Sequence, residues 1–326
     1  GTTGALAIAA PYVRLESPLQ TVTPTRDAAD TGSLLFTATT VDVVGSVYFE
    51  PSLARVSFNV SGDFRLTGVQ SPQLTIVGGN SPVAIISALA GQLVASGDLN
   101  IRAAQVYPTS GTGSLQQDIN AARDGKAETA AAYLIASTGA DATISFTRSS
   151  GATPDMPWSA GGNLLVQAAH IDQSGVVRVP LGRLQLGSNT PLELVTKRFS
   201  QFVPVTQDVD IGSGSITSVA AGGLNIPYGT TTDLIEYFFA PTSDARLFAP
   251  PAAELRLSAD TVNIAGGATV DLSGGGDVYA YEFVAGIGGS RDVLGRTNSD
   301  AFSSNNGLQH ADGRQVYAIV PSLANA

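Results

Sequence analysis

The chain of 326 residues has no cysteine, one methionine, one tryptophan and two histidines. Without thiolates there is no disulfide framework, zinc–thiolate site or iron–sulfur cluster. Charge is scarce as well: 13% of residues are charged, the net charge is −10, and lysine occurs only at Lys126 and Lys197. Such a surface cannot neutralise a phosphate backbone, so no nucleic-acid partner is expected. Long hydrophobic runs are also missing. The most apolar one, Val83 to Ala95, is broken by Gly91 and Gln92 and is too short to cross a bilayer, so no membrane insertion is expected. The opening residues GTTGALAIAAPYVRL carry neither a basic segment nor an initiator methionine. They read as a strand, and the chain is expected to be an internal fragment of a longer precursor.

What the chain does have is glycine, at 36 positions, with abundant serine, threonine, alanine and valine. A hydrophobic content of 43% excludes wholesale disorder. Together these favour short strands and many turns over amphipathic helices, whose wet face needs Lys, Glu and Arg. The stretch Gly266 to Leu294 is the densest example. Val270 and Leu272 alternate before the break at Gly274 to Gly276, and Tyr279, Tyr281 and Phe283 alternate after it.

A degenerate repeat, G-x-L-x-φ-x-A-x-x-[VI] with φ apolar, organises the rest. Gly4, Leu6, Ile8, Ala10 and Val13 fit it, as do Gly32, Leu34, Phe36, Ala38 and Val41, and Gly97, Leu99, Ile101, Ala103 and Val106. Gly162, Leu164, Val166, Ala168 and Ile171 form a fourth copy, Leu255, Leu257, Ala259 and Val262 a fifth with Ala253 for glycine, and Gly62, Phe64 and Leu66 begin a weaker sixth. Alternation of period two places the apolar residues on one face of a strand. The last apolar residue comes an odd step after the alanine, so the chain must turn a corner for both to face one core. The copies start at intervals near multiples of roughly 30 residues. These features predict an all-β chain folded as a β-solenoid of about ten coils at the usual strand spacing, over residues 1–326. An antiparallel sandwich or barrel offers similar strand lengths but no reason for recurring corners. Coils without caps would leave strand edges unpaired, which implies either more chain on each side or end-to-end or lateral self-association.

Insertions are expected near 114–130, 148–162, 235–251 and 297–313. The first reads as a short helix from Ser114 to Gly125, with a capping-box pattern at Ser114 and Gln117. The second holds Pro154, Met156, Pro157 and Trp158, and the third Tyr237, Phe238, Phe239 and Phe248. Both read as loops folded back over a coil.

Chemistry-bearing constellations are few. Asp208 and Asp210, two apart, project to one side of a strand, which acid–base work on a glycan could use, but a solvated edge before Gly212 to Gly214 explains them as well. Asp271, Asp277, Glu282 and Asp292 lack the repeated spacing of calcium solenoids and read as turn residues. His170 and His310 lie far apart in sequence and no G-x-S-x-G elbow accompanies either, and His170 reads as an exposed turn residue. Gly286 to Gly289 lacks the Lys-Ser/Thr ending of a phosphate loop. No catalytic residue, metal site or cofactor is therefore assigned. Tyr279, Tyr281 and Phe283 are the possible glycan-contact residues, weighed against burial of the same rings in a core.

Several blocks resemble the long patterned region of filamentous-haemagglutinin-like exoproteins exported by two-partner secretion. They are Gly97-Asp98-Leu99 through Gln105-Val106-Tyr107-Pro108-Thr109, Pro180-Leu181-Gly182, Ser215-Ile216-Thr217-Ser218-Val219 through Gly223-Leu224-Asn225-Ile226-Pro227-Tyr228-Gly229, Gly266 to Leu294, and Val316-Tyr317-Ala318-Ile319. The resemblance implies a right-handed parallel β-helix in a secreted, non-enzymatic adhesin or filament on the surface of a Gram-negative bacterium. It also implies an outer-membrane transporter partner for the parent chain and a host or neighbouring-cell surface glycan or protein as receptor. It brings no catalytic residues. The secretion domain of such proteins is not found here, so export is expected of the parent chain. The rival expectations are a polysaccharide-active β-helix enzyme using Asp208 and Asp210, and a carbohydrate-binding module using the aromatic stripe.

Overall fold

A computed structural model describes residues 4–16, 31–70, 75–78, 81–84, 89–111, 133–196, 199–232, 234–238 and 250–281. The chain divides into two compact units, one of residues 1–226 and 250–278, the other of residues 227–249 and 279–326.

The first unit is built from three parallel sheets. Sheet A has eight strands in the spatial order β1 (Ala5–Ala9), β3 (Gly32–Ala38), β6 (Leu53–Val60), β12 (Asp98–Ala103), β15 (Thr143–Arg148), β17 (His170–Ser174), β22 (Asp208–Ile211) and β27 (Thr261–Ile264). Sheet B runs β2 (Tyr12–Glu16), β4 (Thr40–Val44), β7 (Asp63–Thr67), β13 (Gln105–Pro108), β18 (Val176–Arg178), β23 (Ile216–Ser218) and β28 (Thr269–Asp271). Sheet C runs β5 (Ser46–Tyr48), β11 (Leu89–Ala95), β14 (Tyr133–Ser137), β16 (Asn163–Gln167), β19 (Arg183–Leu186) and β26 (Glu254–Leu257). From β3 to β28 the chain visits A, then B, then C, and returns to A one layer on, except that it passes from β15 in A straight to β16 in C. Successive strands along these three paths pair in parallel, which removes the sandwich alternative.

Strict register makes the core a set of columns. In sheet A, Leu6, Leu34, Val56, Leu99, Ile144, Ile171, Val209 and Val262 lie one above another. Two residues on, Ile8, Phe36, Phe58, Ile101, Phe146, Gln173, Ile211 and Ile264 form the next column. Sheet C contributes Val47, Leu93, Ile135, Val166, Leu186 and Leu257. Sheet B contributes Val13, Val41, Phe64, Val106, Val177, Thr217 and Val270. Most of the apolar members join one buried cluster. Phe58 stacks on Phe36 at 4.9 Å and meets Phe64 edge-on at 5.0 Å, the geometries aromatic quadrupoles favour.

The odd step of the repeat does mark corners. Ala38 and Val41, Ala103 and Val106, and Ala168 and Ile171 are all buried on either side of a turn. Corners stack too, since Thr39 N–H donates to Pro11 C=O, Gly62 N–H to Thr39 C=O and Ala104 N–H to Gly62 C=O. Gly97, at a C-to-A corner, has no room for a side chain, because a Cβ there would overlap the Ala54 carbonyl.

Two expectations need correction. The copies beginning at Gly4, Gly32 and Gly97 turn from sheet A to B, whereas those at Gly162 and Ala253 turn from C to A, and the Gly62 copy lies on sheet B. The repeat is therefore a corner motif and not a once-per-layer motif. Nor is the layer spacing near 30: 22 residues separate Leu34 from Val56, and 53 separate Val209 from Val262. Excursions at the corners absorb the difference, and sheet A is eight strands deep among the described residues.

One excursion is the pair β9 (Thr75–Gly78) and β10 (Ser81–Ala84), preceded by β8 (Val69–Gln70), which pairs antiparallel with β11. A second is the hairpin of β20 (Leu192–Thr196) and β21 (Phe199–Val203). Residues 149–162, between β15 and β16, contain no strand, and there sheet B passes directly from β13 to β18. Among the described residues there is no helix, and none therefore long and apolar enough to cross a membrane. The expected helix at Ser114 to Gly125, and the insertion at 297–313, lie outside the described residues.

The second unit contains most of β24 (Asn225–Thr232), paired antiparallel with β25 (Glu236–Phe238), and the end of β29 (Asp277–Tyr281), in the order β25-β24-β29. Leu234 and Ile235, in the turn between β24 and β25, are exposed.

Candidate functional site

Alternation that sends one set of side chains inward sends the other set out. On the outer face of sheet A, register stacks Ser57, Asn100, Ser145, Asp172, Asp210 and Asn263 in one column. Asn100 Nδ2 donates to Ser57 Oγ at 3.4 Å, Ser145 Oγ to Asn100 Oδ1 at 2.7 Å, and Asn263 Nδ2 to Asp210 Oδ1 at 2.7 Å. The parallel column beside it places Thr143, His170, Asp208 and Thr261 in line.

The two columns bring His170, Asp172, Asp208 and Asp210 together on β17 and β22. His170 Nδ1 lies 2.6 Å from Asp208 Oδ2, with both side chains about two-thirds buried. Asp172 stands directly opposite Asp210. Partial burial, then the charges of Asp210 and Asp208, push the Asp172 carboxyl above the ordinary carboxylate range, and His170 opposes them. On sheet A, an acid held toward its protonated form here adjoins two further carboxylates and an imidazole. His170 is thus not an exposed turn residue, because it opens a strand and pairs across to the next layer. The pair Asp208 and Asp210 does project to one side, but from an interior strand of the sheet and not from an edge.

A second polar column runs along the outer face of sheet B: Arg14, Asp42, Arg65, Tyr107, Arg178, Ser218 and Asp271. Arg65 forks onto Asp42, with Nε at 2.6 Å from Oδ1 and Nη2 at 2.7 Å from Oδ2, and the Tyr12 hydroxyl donates to Oδ2 at 2.9 Å. Tyr107 donates to Asp63 at 3.0 Å, and burial followed by that carboxylate raises its pKa. Arg178, 5% exposed, donates from Nη1 to Gln105 Oε1, Pro154 C=O and Asp155 C=O. Burial lowers its pKa. These bonds hold the 149–162 stretch against sheet B, with Trp158 left 68% exposed.

Of the three possible glycan-contact residues, Tyr279 is 49% exposed on β29. Tyr281 is the last residue of that strand, and Phe283 lies outside the described residues. The glycine break before them is real: Gly275 and Gly276 have φ of 79° and 89°, and a Cβ on Gly276 would approach Leu224 C=O at 2.5 Å. Among the described residues no group of three or more His, Asp or Glu side chains is arranged to hold a metal ion. Sequence reasoning missed Asp172 and the His170–Asp208 pair. Their partners are 38 residues apart, at a layer spacing that no periodicity announces.

Comparison of the chain with protein-family models, with curated proteins and with solved structures yields no match.

Proposed function

We propose that the first unit is a right-handed parallel β-helix, and that the chain is a non-enzymatic structural and adhesive segment of a secreted bacterial surface exoprotein. In this reading it belongs to a filamentous-haemagglutinin-like adhesin shaft or extracellular filament, on the surface of a Gram-negative cell. The observation that carries it is the column order: three parallel sheets share one apolar interior, and polar ladders run along the outside of sheet A. In such a stack the backbone hydrogen bonds point along the axis, so each layer holds the next by its whole ladder. That suits a part whose work is to extend and bear load. The resemblance of the Gly97, Pro180, Ser215 and Gly266 blocks supports the export route through an outer-membrane transporter and a cell-surface glycan or protein as receptor. Imaging of the isolated native particle tests the shaft. Strand layers stacked along one axis are expected, and a particle without them overturns the reading.

A second reading is favoured by one feature, the His170, Asp172, Asp208 and Asp210 cluster, which could serve acid–base chemistry on a polysaccharide. The ladder accounts for it more simply, since Asp210 is bonded to Asn263 and Asp208 to His170 in the same cross-layer manner as Ser145 to Asn100. Turnover of a glycan panel by the wild type, lost in Asp172→Asn and Asp208→Asn, would replace the shaft reading with an enzyme. Absence of turnover is the expected result.

A further inference from the structure

The 149–162 stretch lies on the outer side of sheet B at the level of β13 and β18, in the middle of the stack, so coils added at either end would not reach it. Its backbone is tied down along its length. Arg148 holds the carbonyls of Gly151 and Ala152, Arg178 those of Pro154 and Asp155, and Gln105 that of Asp155 as well. Farther on, Ser159 Oγ donates to Pro108 C=O at 2.6 Å, Ala160 N–H to Ser110 Oγ at 3.0 Å, and Gly111 N–H to Ala160 C=O at 3.1 Å. Arg178, Gln105 and Ser159 are each 5% exposed or less, so the anchors are buried polar side chains.

Within this stretch the chain's only tryptophan is turned out. Ser159 N–H donates back to Pro157 C=O at 2.9 Å, closing a three-residue turn with Trp158 at its tip. Pro157 and Ser159, on either side, are buried, and Trp158 is 68% exposed. The stretch does have a place to bury an apolar side chain, since Met156 packs over Gly222, where a Cβ would meet the Met156 methyl at 2.8 Å. The methionine goes in and the larger indole stays out, the reverse of what burial alone selects. Thr153 and Asp155 are exposed as well.

We propose that Trp158 is the platform of a glycan-binding site, on which one face of a neutral hexopyranose ring stacks while the Asp155 carboxylate and the Thr153 hydroxyl bind its hydroxyl groups. The proposal rests on the adhesive reading above, and it fixes the receptor's chemistry and the residues that meet it. Size argues for a sugar. The exposed part of one indole is roughly 100–170 Å², a fraction of the ~800 Å² per partner that a stable protein interface needs. No other large apolar side chain of 149–162 is exposed to enlarge it. A sugar ring matches the indole in size, with C–H groups on its face and hydroxyls around its rim that a carboxylate can accept from. Charge argues for a neutral one. The chain carries a net charge of −10 with two lysines, and Asp155 adds a carboxylate at the site itself, so acidic glycans and anionic lipid headgroups are repelled. A platform already fixed by Arg178 and Ser159 has little freedom left to lose when the ring docks.

Because the chain has a single tryptophan, its fluorescence reports on this one site. The full chain is titrated with the hexasaccharides of α-glucan, β-glucan, mannan, galactan and chitin, and with oligogalacturonate, each to about 10 mM. A saturable blue shift is expected with at least one neutral sugar, at a dissociation constant on the order of 1 mM or below, and none with the acidic one. For the tightest sugar, calorimetry should show binding weakened about tenfold or more by Trp158→Ala, less by Trp158→Phe, which keeps a ring, and several-fold by Asp155→Asn. Phe202→Ala, which removes a comparably exposed ring from the β20–β21 hairpin, should leave it unchanged. Circular dichroism of each variant verifies that the strands remain. Absence of a shift with every neutral sugar, a shift confined to the acidic one, binding that survives in Trp158→Ala, or an equal loss in Phe202→Ala overturns the proposal. Images of the native particle decide the shaft separately. Layered particles that bind none of these sugars leave the shaft standing without this site, and particles without layers that do bind one remove the shaft alone.

Discussion

Gln173 sits where an apolar side chain belongs, and replacing it decides between two accounts of the core. It occupies the inward column between Phe146 and Ile211 and is fully buried. An area argument says that Gln173→Leu should stabilise the fold, since a nearly isosteric leucine would complete the column and contribute about 1.5–3 kcal/mol of apolar burial. The hydrogen bonds say otherwise. Gln173 Oε1 accepts the Gly175 amide at 3.1 Å, and Nε2 donates to Ile216 C=O at 3.0 Å, Thr217 Oγ1 at 3.1 Å and Gly175 C=O at 3.3 Å. The side chain therefore ties the turn after β17 to the strand one layer on.

Leucine strips Gly175 N–H of its acceptor, which costs about 1–3 kcal/mol, and removes the amide's donations at about 0.5–1.5 kcal/mol each. Taking the apolar gain off that loss leaves Gln173→Leu destabilising by about 2 kcal/mol. Thermal unfolding should then show a midpoint lower by roughly 4–8 °C, with faster exchange of the Gly175 amide. Gln173→Ala, which makes the same losses and leaves a cavity, should be worse by a further ~1–2 kcal/mol. A Gln173→Leu protein as stable as the wild type, with Gly175 still protected, would show that column burial outweighs this network and refute the reasoning.

Three further outcomes are expected. Asp172 holds its proton more tightly folded than unfolded, so the associated stability is complete below the unfolded value and lost as pH rises through the folded one; Asp172→Asn should raise the melting temperature at pH 7, and that gain should vanish near about pH 3. Phe58→Ala empties the centre of the Phe36–Phe58–Phe64 contact and should cost about 3–5 kcal/mol in urea unfolding. Gly97→Ala drives a Cβ into the Ala54 carbonyl and should lower the melting temperature clearly, whereas Gly151→Ala, with nothing within 4 Å of the added carbon, should leave it unchanged.

Alternation and the odd step made strand faces and corners readable from the sequence alone. The reason is local: a strand, its corner and the next strand fall within about ten residues, a span over which parity is fixed by the backbone. Which layer lies on which was not readable. Corner excursions such as β9–β10 and β20–β21 change the layer length without disturbing any strand, so His170 and Asp208 become neighbours across a distance that carries no periodic signal. Gln173 was missed for a related reason. Its position has the parity of a core residue, but its acceptors and donors lie partly on the following layer, so nothing near it in sequence marks it as satisfied. The glycine break at Gly275 and Gly276 was visible because it is a property of three consecutive residues.

The difference between the two faces bears on where a shaft of this kind would meet its surroundings. Sheet A is continuous through all eight described layers, and its outer side chains bond mainly to the layers above and below. Sheet B passes directly from β13 to β18, so the layer of β15 and β16 gives it no strand, and the 149–162 stretch of that layer is held against its outer side by Arg178. That stretch cannot use a ladder, so its polar groups find other partners. Arg178 donates to the carbonyls of Pro154 and Asp155, Ser159 Oγ to Pro108 C=O, Ser110 Oγ accepts from Ala160 N–H, and Arg148 reaches Gly151 and Ala152 C=O. A buried guanidinium is a costly anchor unless several acceptors and nearby carboxylates surround it, and Asp63, Asp155 and Asp271 do so here. The chain thus spends its most specific polar network on holding one irregular stretch in place, with Trp158 held out from it into solvent. In a protein whose layers otherwise only repeat, an ordered irregularity that presents a large exposed aromatic is where recognition can differ from one layer to the next. In the shaft proposed above, the face of sheet A would carry the load, and the face of sheet B that holds the 149–162 stretch would be the one on which a receptor tells this segment from its neighbours.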